Sequence, residues 1–328
     1  GYLDVTVIPQ MTPDQETKKV DVRIEIEEGK QYIVHRINFT GNTKTRDRVL
    51  RREFFLEEQD RFNGDLLDIS VLRINQLGFF EMVEEKDYEV VKRPSESEVD
   101  VVVKVQERSQ QSIGLTGGVS GIYGSFFGVN YQSNNFRGAG QTIDVNVLTG
   151  SRTSNFTFSF NEPYLFDSKI SSGFSVFSNR YRFDTFTAFF GMISPSENVA
   201  LYTQKTTGIT LRSSYPVWRW TRLGLSYTLS NIGITDIDDL FSDFALGQLV
   251  GFTPGGDADD ARKGIIRSEI SPSLLYNTKN QFYGATEGTQ FSIRVPMSGG
   301  PLGGSFSIIK PFIEYQKFIP DPVSKGRN

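Results

Sequence analysis

The feature that most constrains the fold is an alternation of phenylalanine with small polar residues near the middle of the chain. Phe156, Phe158 and Phe160 fall on one face of a predicted strand, and the polar residues between them fall on the other. Successive side chains of a strand point to opposite faces of its sheet. One apolar and one polar face are typical of a membrane barrel, with lipid outside and water inside. A soluble β-sandwich alternates in the same way, so this pattern alone leaves both folds open.

The charge distribution divides the chain into two parts. Residues 1–109 hold 23 of the 39 acidic and 17 of the 35 basic residues, although they make up only a third of the 328-residue chain. The remainder is poor in charge and contains most of the alternating segments. A charged front and a charge-poor back indicate two domains that face different solvents.

Composition excludes several classes of function. The chain has no cysteine and one histidine, which removes disulfides, thiol nucleophiles and zinc sites built from those residues. A net charge of −4 argues against nucleic-acid binding. The sequence contains no run of 18 or more apolar residues, so no transmembrane helix is predicted. Gly1 begins in mid-pattern, so we expect the sequence to be a processed or excised piece.

The charged front predicts a small α+β module over residues 30–108, in the order β-α-α-β-β. Strands are predicted at 32–39, 82–91 and 98–106, and helices at 45–52 and 65–77. Near-helical spacing in the second helix is shown by Leu66, Ile69, Leu72 or Arg73, and Leu77, and Gly78 is its stop signal. Residues 1–29 read as the end of an earlier module.

Four short motifs in this module carry a family resemblance. They are Gly41-Asn42-Thr43, Leu50-Arg51-Arg52-Glu53, Leu77-Gly78-Phe79-Phe80, and Val99-Asp100-Val101-Val102 followed by Glu107. In this order and spacing they resemble a POTRA domain, specifically the membrane-proximal one of BamA-type outer-membrane insertases. The resemblance implies that 30–108 is that domain and that 1–29 ends a preceding POTRA domain.

The back of the chain predicts about ten antiparallel strands with alternately short and long connections. They fall at 110–119, 125–134, 141–148, 155–161, 169–178, 206–215, 222–232, 265–276, 288–295 and 305–318. Asn135-Phe-Arg-Gly-Ala-Gly140 and Asn161-Glu-Pro-Tyr164 match periplasmic turns of the same family. The resemblance implies that 109–328 is the N-terminal part of a 16-stranded transmembrane β-barrel, truncated before the family's Arg-Gly-Phe motif.

The implied function is to fold and insert β-barrel proteins into the bacterial outer membrane, with the POTRA part in the periplasm. The implied partners are the lipid bilayer, unfolded outer-membrane clients and accessory periplasmic lipoproteins. We expect no enzyme activity, cofactor, metal site or nucleic-acid partner. His35 reads as a strand-surface residue, and the aspartates within 236–260 read as a solvated loop. Alternatives are a related translocation pore, an autotransporter assembly factor, or a soluble periplasmic β-sandwich binding protein.

The first barrel strand is the leading candidate site. In the resembled family this strand forms a weak seam with the last one, and client strands pair with it. Glycine in a strand lets another backbone approach closely. The predicted client-pairing residues are Gln110, Gln111, Ser112, Ile113, Gly114, Leu115, Thr116, Gly117, Gly118 and Val119. A glycine-rich strand that only tolerates tight curvature would look the same.

Two further surfaces are predicted in the POTRA module. The 82–91 strand would offer an edge to extended peptides, and its candidate residues are Met82, Val83, Tyr88, Val90 and Val91. The resemblance also implies a docking surface for an accessory lipoprotein, formed by Arg51, Arg52, Glu53 and Glu58. A neighbouring module covering the edge, or a solvated helix end, would account for the same residues.

Overall fold

The computed structural model describes residues 3–14, 19–93, 97–121, 123–184, 200–236 and 264–320. The chain forms two compact units. One comprises Gly1–Arg108 with Asn280–Ala285, and the other comprises Ser109–Lys279 with Thr286–Asn328. No helix within the described ranges is long and apolar enough to cross a membrane.

The first unit contains the predicted β-α-α-β-β module after a two-stranded hairpin. Its elements are β1 (Thr6–Asp14), β2 (Lys19–Glu27), β3 (Ile33–Thr40), α1 (Asp47–Arg51), α2 (Gly64–Leu77), β4 (Tyr88–Arg93) and β5 (Glu98–Lys104). The order of the three-stranded sheet is β3-β5-β4, with β3 parallel and β4 antiparallel to β5. That residues 1–29 end a preceding POTRA domain stays a prediction.

Helix α2 covers one face of this sheet. Asn63 caps its first turn by accepting hydrogen bonds from Asp65 N–H at 3.0 Å and Leu66 N–H at 3.4 Å. Gly78 ends it with φ 70°, which a glycine adopts without strain. The buried face comprises Leu67, Ser70, Val71, Ile74 and Asn75. It is rotated from the predicted Leu66, Ile69 and Leu77 face, because helical spacing alone does not show which stripe meets the sheet.

The predicted 82–91 strand begins only at Tyr88. The residues before it form a short 3-10 turn at Glu85–Asp87 and a segment that enters the core. The Asn75 side chain accepts a hydrogen bond from Val83 N–H at 2.8 Å and donates one to Val83 C=O at 3.1 Å. Because the side-chain amide pairs both backbone groups, Val83 is buried without a neighbouring strand.

Glu107 joins two of the motifs that lie far apart in sequence. Its carboxylate accepts hydrogen bonds from Thr43 Oγ1 at 2.9 Å, Lys44 N–H at 3.0 Å and Thr45 N–H at 2.6 Å. Partial burial raises the pKa of Glu107, but hydrogen bonds from Thr45, Thr43 and Lys44 outweigh it, so its pKa lies below the ordinary value of 4.5. The ionised carboxylate therefore holds the loop after β3.

The second unit is one continuous antiparallel sheet of twelve strands. They are β6 (Gln111–Ser120), β7 (Gly124–Phe136), β8 (Gln141–Gly150), β9 (Thr153–Glu162), β10 (Ser171–Asp184), β11 (Ala200–Trp218), β12 (Thr221–Thr235), β13 (Ile265–Asn277), β14 (Gly288–Arg294), β15 (Met297–Ser298), β16 (Ile308–Ile309) and β17 (Phe312–Phe318). Each of the ten predicted strands overlaps at least one of these. A sandwich needs two sheets packed face to face, so the soluble-sandwich alternative is wrong.

The last predicted strand, 305–318, is interrupted. It divides into β16 and β17 on either side of Lys310 and Pro311. Proline has no backbone N–H and cannot contribute a donor to a ladder. β17 pairs with β14, whereas β16 pairs with β15.

The pairing register places side chains of like polarity in rows across the sheet. An apolar row runs through direct partners from β6 to β12: Ile113, Tyr131, Val145, Phe158, Val176, Ile209 and Leu229. A polar row runs on the other face from β8 to β13: Asp144, Ser159, Ser175, Thr210, Thr228 and Glu269. One face therefore suits hydrocarbon and the other suits water.

Phe158→Arg should destabilise the folded sheet, because it puts a charge on the apolar row near the middle of β9. The expected cost is about 2–4 kcal/mol in a bilayer. Ser159→Arg is the matched control, since its partner across the strand pair is Asp144 on the polar row. Urea titrations of the heat-modifiable gel shift in lipid vesicles would measure both. Equal stability losses would contradict the assignment of the two faces.

Glu107→Gln should weaken the loop at residues 43–45, because a neutral amide replaces a carboxylate that accepts three hydrogen bonds. We expect about a tenfold or greater loss of hydrogen-exchange protection at the Lys44 and Thr45 amides at neutral pH. A carboxylate with a lowered pKa stabilises the fold above its unfolded pKa, and this contribution disappears as pH falls through the folded pKa. The variant should therefore match the parent only below the folded pKa of Glu107, which lies under the ordinary value of 4.5. A difference that persists there would contradict the role of the charge.

Candidate strand-pairing edges and docking surface

β6 is the most open strand of the large sheet. Nine of its ten residues are exposed. Among the described strands it pairs with β7 alone. Backbone N–H and C=O groups alternate along each side of a strand, so the side of β6 facing away from β7 presents donors and acceptors to an incoming strand.

The side chains of β6 give this edge a sparse apolar face. Ile113, Leu115 and Val119 are 73%, 71% and 88% exposed on the apolar side of the sheet. Gly117 lies between Leu115 and Val119 on the same face and adds no side chain. The predicted client-pairing residues thus lie together on one open strand, apart from Gln110, which directly precedes it.

The three-stranded sheet of the first unit has two outer strands, β3 and β4, and β3 is covered. Val34 N–H donates to Asp60 C=O at 2.8 Å, and Gln59 N–H donates to Val34 C=O at 2.7 Å. Further along, Ile37 N–H donates to Glu58 Oε1 at 3.0 Å, while Ile37 C=O accepts from Arg51 Nη2 at 3.0 Å. The backbone groups that would recruit another strand are used internally.

β4 is the outer strand without such a cover among the described residues. Val91 is 45% exposed, and Val90 is half-buried opposite Val101. Tyr88 Oη donates to Asp68 Oδ1 at 3.1 Å, and burial together with this hydrogen bond raises the pKa of Tyr88 to about 12. The phenol therefore stays protonated and fixes the start of β4.

The predicted edge residues separate into two groups. Tyr88, Val90 and Val91 belong to β4. Met82 and Val83 precede it and were wrongly assigned to the strand. Val83 is only 4% exposed, so its side chain contributes to the core and not to an edge, whereas Met82 is 45% exposed.

The predicted docking residues are also divided by the structure. Arg51 binds Asp47 Oδ2 and Glu58 Oε1, each at 3.1 Å, and its guanidinium lies 5.7 Å from the centre of the Phe39 ring. Arg52 Nε instead donates to the Arg48 carbonyl at 3.1 Å. Arg51 and Glu58 form one cluster with the edge of β3.

Glu58 has a structural role as well as a charge, because it bonds the backbone of β3 and the Arg51 side chain. The Ile37 N–H hydrogen bond is the main cause that holds the pKa of Glu58 below its ordinary value, and Arg51 adds to the effect. Glu53 is half-buried at the end of this segment. The cluster can therefore present fixed charges of both signs to a partner.

The described residues contain no group of three or more histidine, cysteine, aspartate or glutamate side chains that could hold a metal ion. His35 Nδ1 lies 3.0 Å from Asp100 Oδ1, and Asp100 also binds Arg93 at 2.8 Å. These residues lie on neighbouring strands of the three-stranded sheet. Of the predicted acidic loop only Asp236 is described; positions 237–260 lie outside the described residues.

Comparison with known proteins assigns the family. Residues 135–321 match the Omp85 superfamily domain, and residues 32–108 match POTRA, a surface antigen variable number repeat. The chain belongs to the Omp85 superfamily. It is an outer-membrane protein whose POTRA part lies in the periplasm.

Particular relatives agree with this assignment. The chain is 29% identical along its whole length to outer membrane protein assembly factor BamA of Nitratidesulfovibrio vulgaris, and it spans 38% of that protein's length. BamA from Haemophilus ducreyi lacking POTRA domains 1–3 has a TM-score of 0.57 at 22% identity, covering 93% of this chain and 55% of that one. CdiB from Escherichia coli has a TM-score of 0.55 at 13% identity, covering 96% and 55%. The two solved structures share the fold, and the prediction of a POTRA module followed by a barrel-type sheet is confirmed.

Several residues that define these edges carry no motif in the sequence. Asp60 and Gln59 cover β3 through backbone atoms, and no side-chain pattern reports this. Asn75 acts on the backbone of Val83, which lies eight residues further along the chain. The sequence offered one signal, which is that Asn75 stands within an apolar helical stripe. A buried amide needs hydrogen-bond partners, so this asparagine indicated a contact with another segment.

Proposed function

We propose that this protein folds β-barrel proteins and inserts them into the outer membrane by pairing strands at its own open edges. The observation that carries the proposal is β6, an exposed and glycine-rich strand that pairs with β7 alone among the described strands. The sheet to which it belongs has one apolar face that suits lipid and one polar face that suits water. The proposed role is one of binding and templating, and it is not enzymatic.

The free energy for insertion would come from backbone pairing. Each unpaired N–H or C=O group in hydrocarbon costs several kcal/mol, so a client strand that enters the membrane is stabilised strongly by a ready edge. β6 offers that edge, and its glycines leave room for a second backbone. The sparse apolar face gives few side-chain contacts to hold the client afterwards, which favours release once the client pairs with itself.

The POTRA module would hold extended client segments before insertion. β4 is the open edge, and strand addition there requires only backbone groups, so it accepts clients of different sequence. A cavity of about 230 Å³ lies beside the start of β4, and its lining includes Asp68, Leu72, Met82 and Tyr88. It could take an apolar side chain from a bound segment.

An accessory periplasmic lipoprotein would dock on the cluster of Arg51 and Glu58. Both side chains are less than half exposed, at 44% and 42%, and each already has a defined geometry. Preorganised charges lose little conformational entropy on binding and help to select the partner.

A second candidate is a related translocation pore or an autotransporter assembly factor. The likeness to the solved CdiB structure is a likeness of fold at 13% identity and does not separate these roles. The location of client contacts would separate them. An insertase is expected to contact clients along β6, whereas a pore is expected to contact them along the polar row on the water-facing side of the sheet.

Cysteine crosslinking to a nascent barrel client in the native membrane would test the two edges. We expect strong adducts at Leu115→Cys on β6 and at Val91→Cys on β4. Leu225→Cys is the control for β6, because it is 51% exposed on the apolar face but lies on a strand paired on both sides. Val102→Cys on the central strand β5 is the control for β4.

The crosslinking pattern also distinguishes the alternatives. Adducts at Leu115 no stronger than those at Leu225 would overturn pairing at β6. Strong adducts at Thr210→Cys on the polar row would favour a translocation pore.

Glu58→Lys should abolish co-purification of the periplasmic lipoprotein, because it places a second cation beside Arg51. Glu57→Lys is the matched control, as it makes the same charge change at an adjacent exposed residue. Glu58→Gln keeps an acceptor for Ile37 N–H and reports whether the fold itself tolerates the loss of charge. A lipoprotein complex that survives Glu58→Lys would remove this docking surface.

A further inference from the structure

The end of β7, together with the turn that follows it, is bonded to the residue before β6. Asn135 is 3% exposed, and its side chain bonds both Gly140 in the turn and Gln110 before β6. Its Oδ1 accepts from Gly140 N–H at 2.6 Å, and its Nδ2 donates to Gln110 Oε1 at 3.0 Å. The Gln110 carbonyl accepts from Asn134 N–H at 2.9 Å. The residue before β6 is thus held by both its side chain and its backbone.

The turn itself fixes where Asn135 lies. Gly138 N–H donates to the Asn135 carbonyl at 3.1 Å, and Ala139 N–H donates to the Phe136 carbonyl at 3.1 Å. Gly138 and Gly140 have φ of 68° and 80°, a conformation that glycine adopts without strain. Because these bonds are made within the turn, Asn135 keeps its position independently of β6.

β6 contributes little to its own register. The pairing partners are Leu115 with Val129 and Gly117 with Phe127. A slip of two residues keeps apolar residues on the apolar face, and the exposed side chains of β6 bury little that would oppose it. Pairing register is weakly specified in a glycine-rich strand when neither of its faces is buried. Contacts at the two ends of the strand, where Ser120 pairs with Gly124 and Gln110 bonds Asn134, therefore align it.

We propose that Asn135 is a positioning residue that sets the register of β6 on β7 through Gln110. This inference rests on the proposed function, because the register of β6 decides how a client strand is aligned. A client pairs with β6 residue by residue, so a slip of two residues moves its apolar band by about 7 Å along the strand. Such a shift would misplace the client against the hydrocarbon layer.

Disulfide trapping in the full-length, membrane-inserted protein reports the register directly. The pair Leu115→Cys and Val129→Cys should crosslink in the observed register, because these residues are direct partners. The pair Ile113→Cys and Val129→Cys should crosslink only after a two-residue slip. Diagonal neighbours lie about 7–8 Å apart, beyond the usual reach of a disulfide.

In the Asn135→Leu background we expect about tenfold more crosslinking of the slipped pair, which corresponds to losing roughly one net hydrogen bond. Asn135→Asp should keep the observed register. One carboxylate oxygen still accepts from Gly140 N–H, and the other accepts from the Gln110 amide after that amide rotates. Asn130→Leu is the matched control, because it removes a polar contact of β7 with Asp144 and leaves Gln110 untouched.

Heat-modifiable gel mobility shows whether each variant is folded. If Asn135→Leu does not fold, Gln110→Leu makes the same test from the other side of the contact and keeps the Gly140 bond. Crosslinking of the observed pair alone in a folded Asn135→Leu or Gln110→Leu variant would overturn the proposal and leave the insertase function standing.

The client adducts at Leu115→Cys give a second measurement. Slipped register together with adducts displaced along the client strand would support the link between register and client alignment. Slipped register with an unchanged adduct pattern would overturn that link. Absence of adducts at Leu115 in the parent would count against the proposed function alone.

Discussion

The structure depends on one constraint, which is that backbone polar groups cannot be left unpaired where water is absent. In hydrocarbon the constraint is severe, and it produces the long antiparallel ladders from β6 to β13. A strand with one unpaired side is then the part of the sheet that most readily pairs with another chain. Among the described strands β6 combines that position with an exposed backbone and a sparse apolar face, which is the physical basis of the strand pairing proposed for it.

The POTRA module meets the same constraint in water, where an open edge costs less but still recruits strands. Its two outer strands are treated differently. Backbone atoms of Gln59 and Asp60 and the side chains of Arg51 and Glu58 cover β3. β4 has no such cover within the described part of the chain. Of the two outer strands, β4 is therefore the one on which the proposed addition of a client strand is placed.

Polar side chains that act at a distance in sequence make these edges definite. Glu107 holds the loop after β3, Asn75 pairs the backbone of Val83, and Asn135 holds the residue that precedes β6. Glu107 and Asn75 supply hydrogen bonds to segments that lie outside the strands, and Asn135 adds a side-chain bond where β6 begins. These bonds fix the position of the segments next to the exposed strands.

The sequence by itself determined the two-part organisation, the β-α-α-β-β order, the ten main strands and the face that each strand shows to lipid. These follow from charge, local periodicity and turn signals, which reside in neighbouring residues. Only the tertiary structure decided that the α2 stripe is rotated, that Val83 is core, that β3 is covered and that Asn135 meets Gln110. Those outcomes depend on partners remote in sequence, and local pattern carries no information about which remote group arrives.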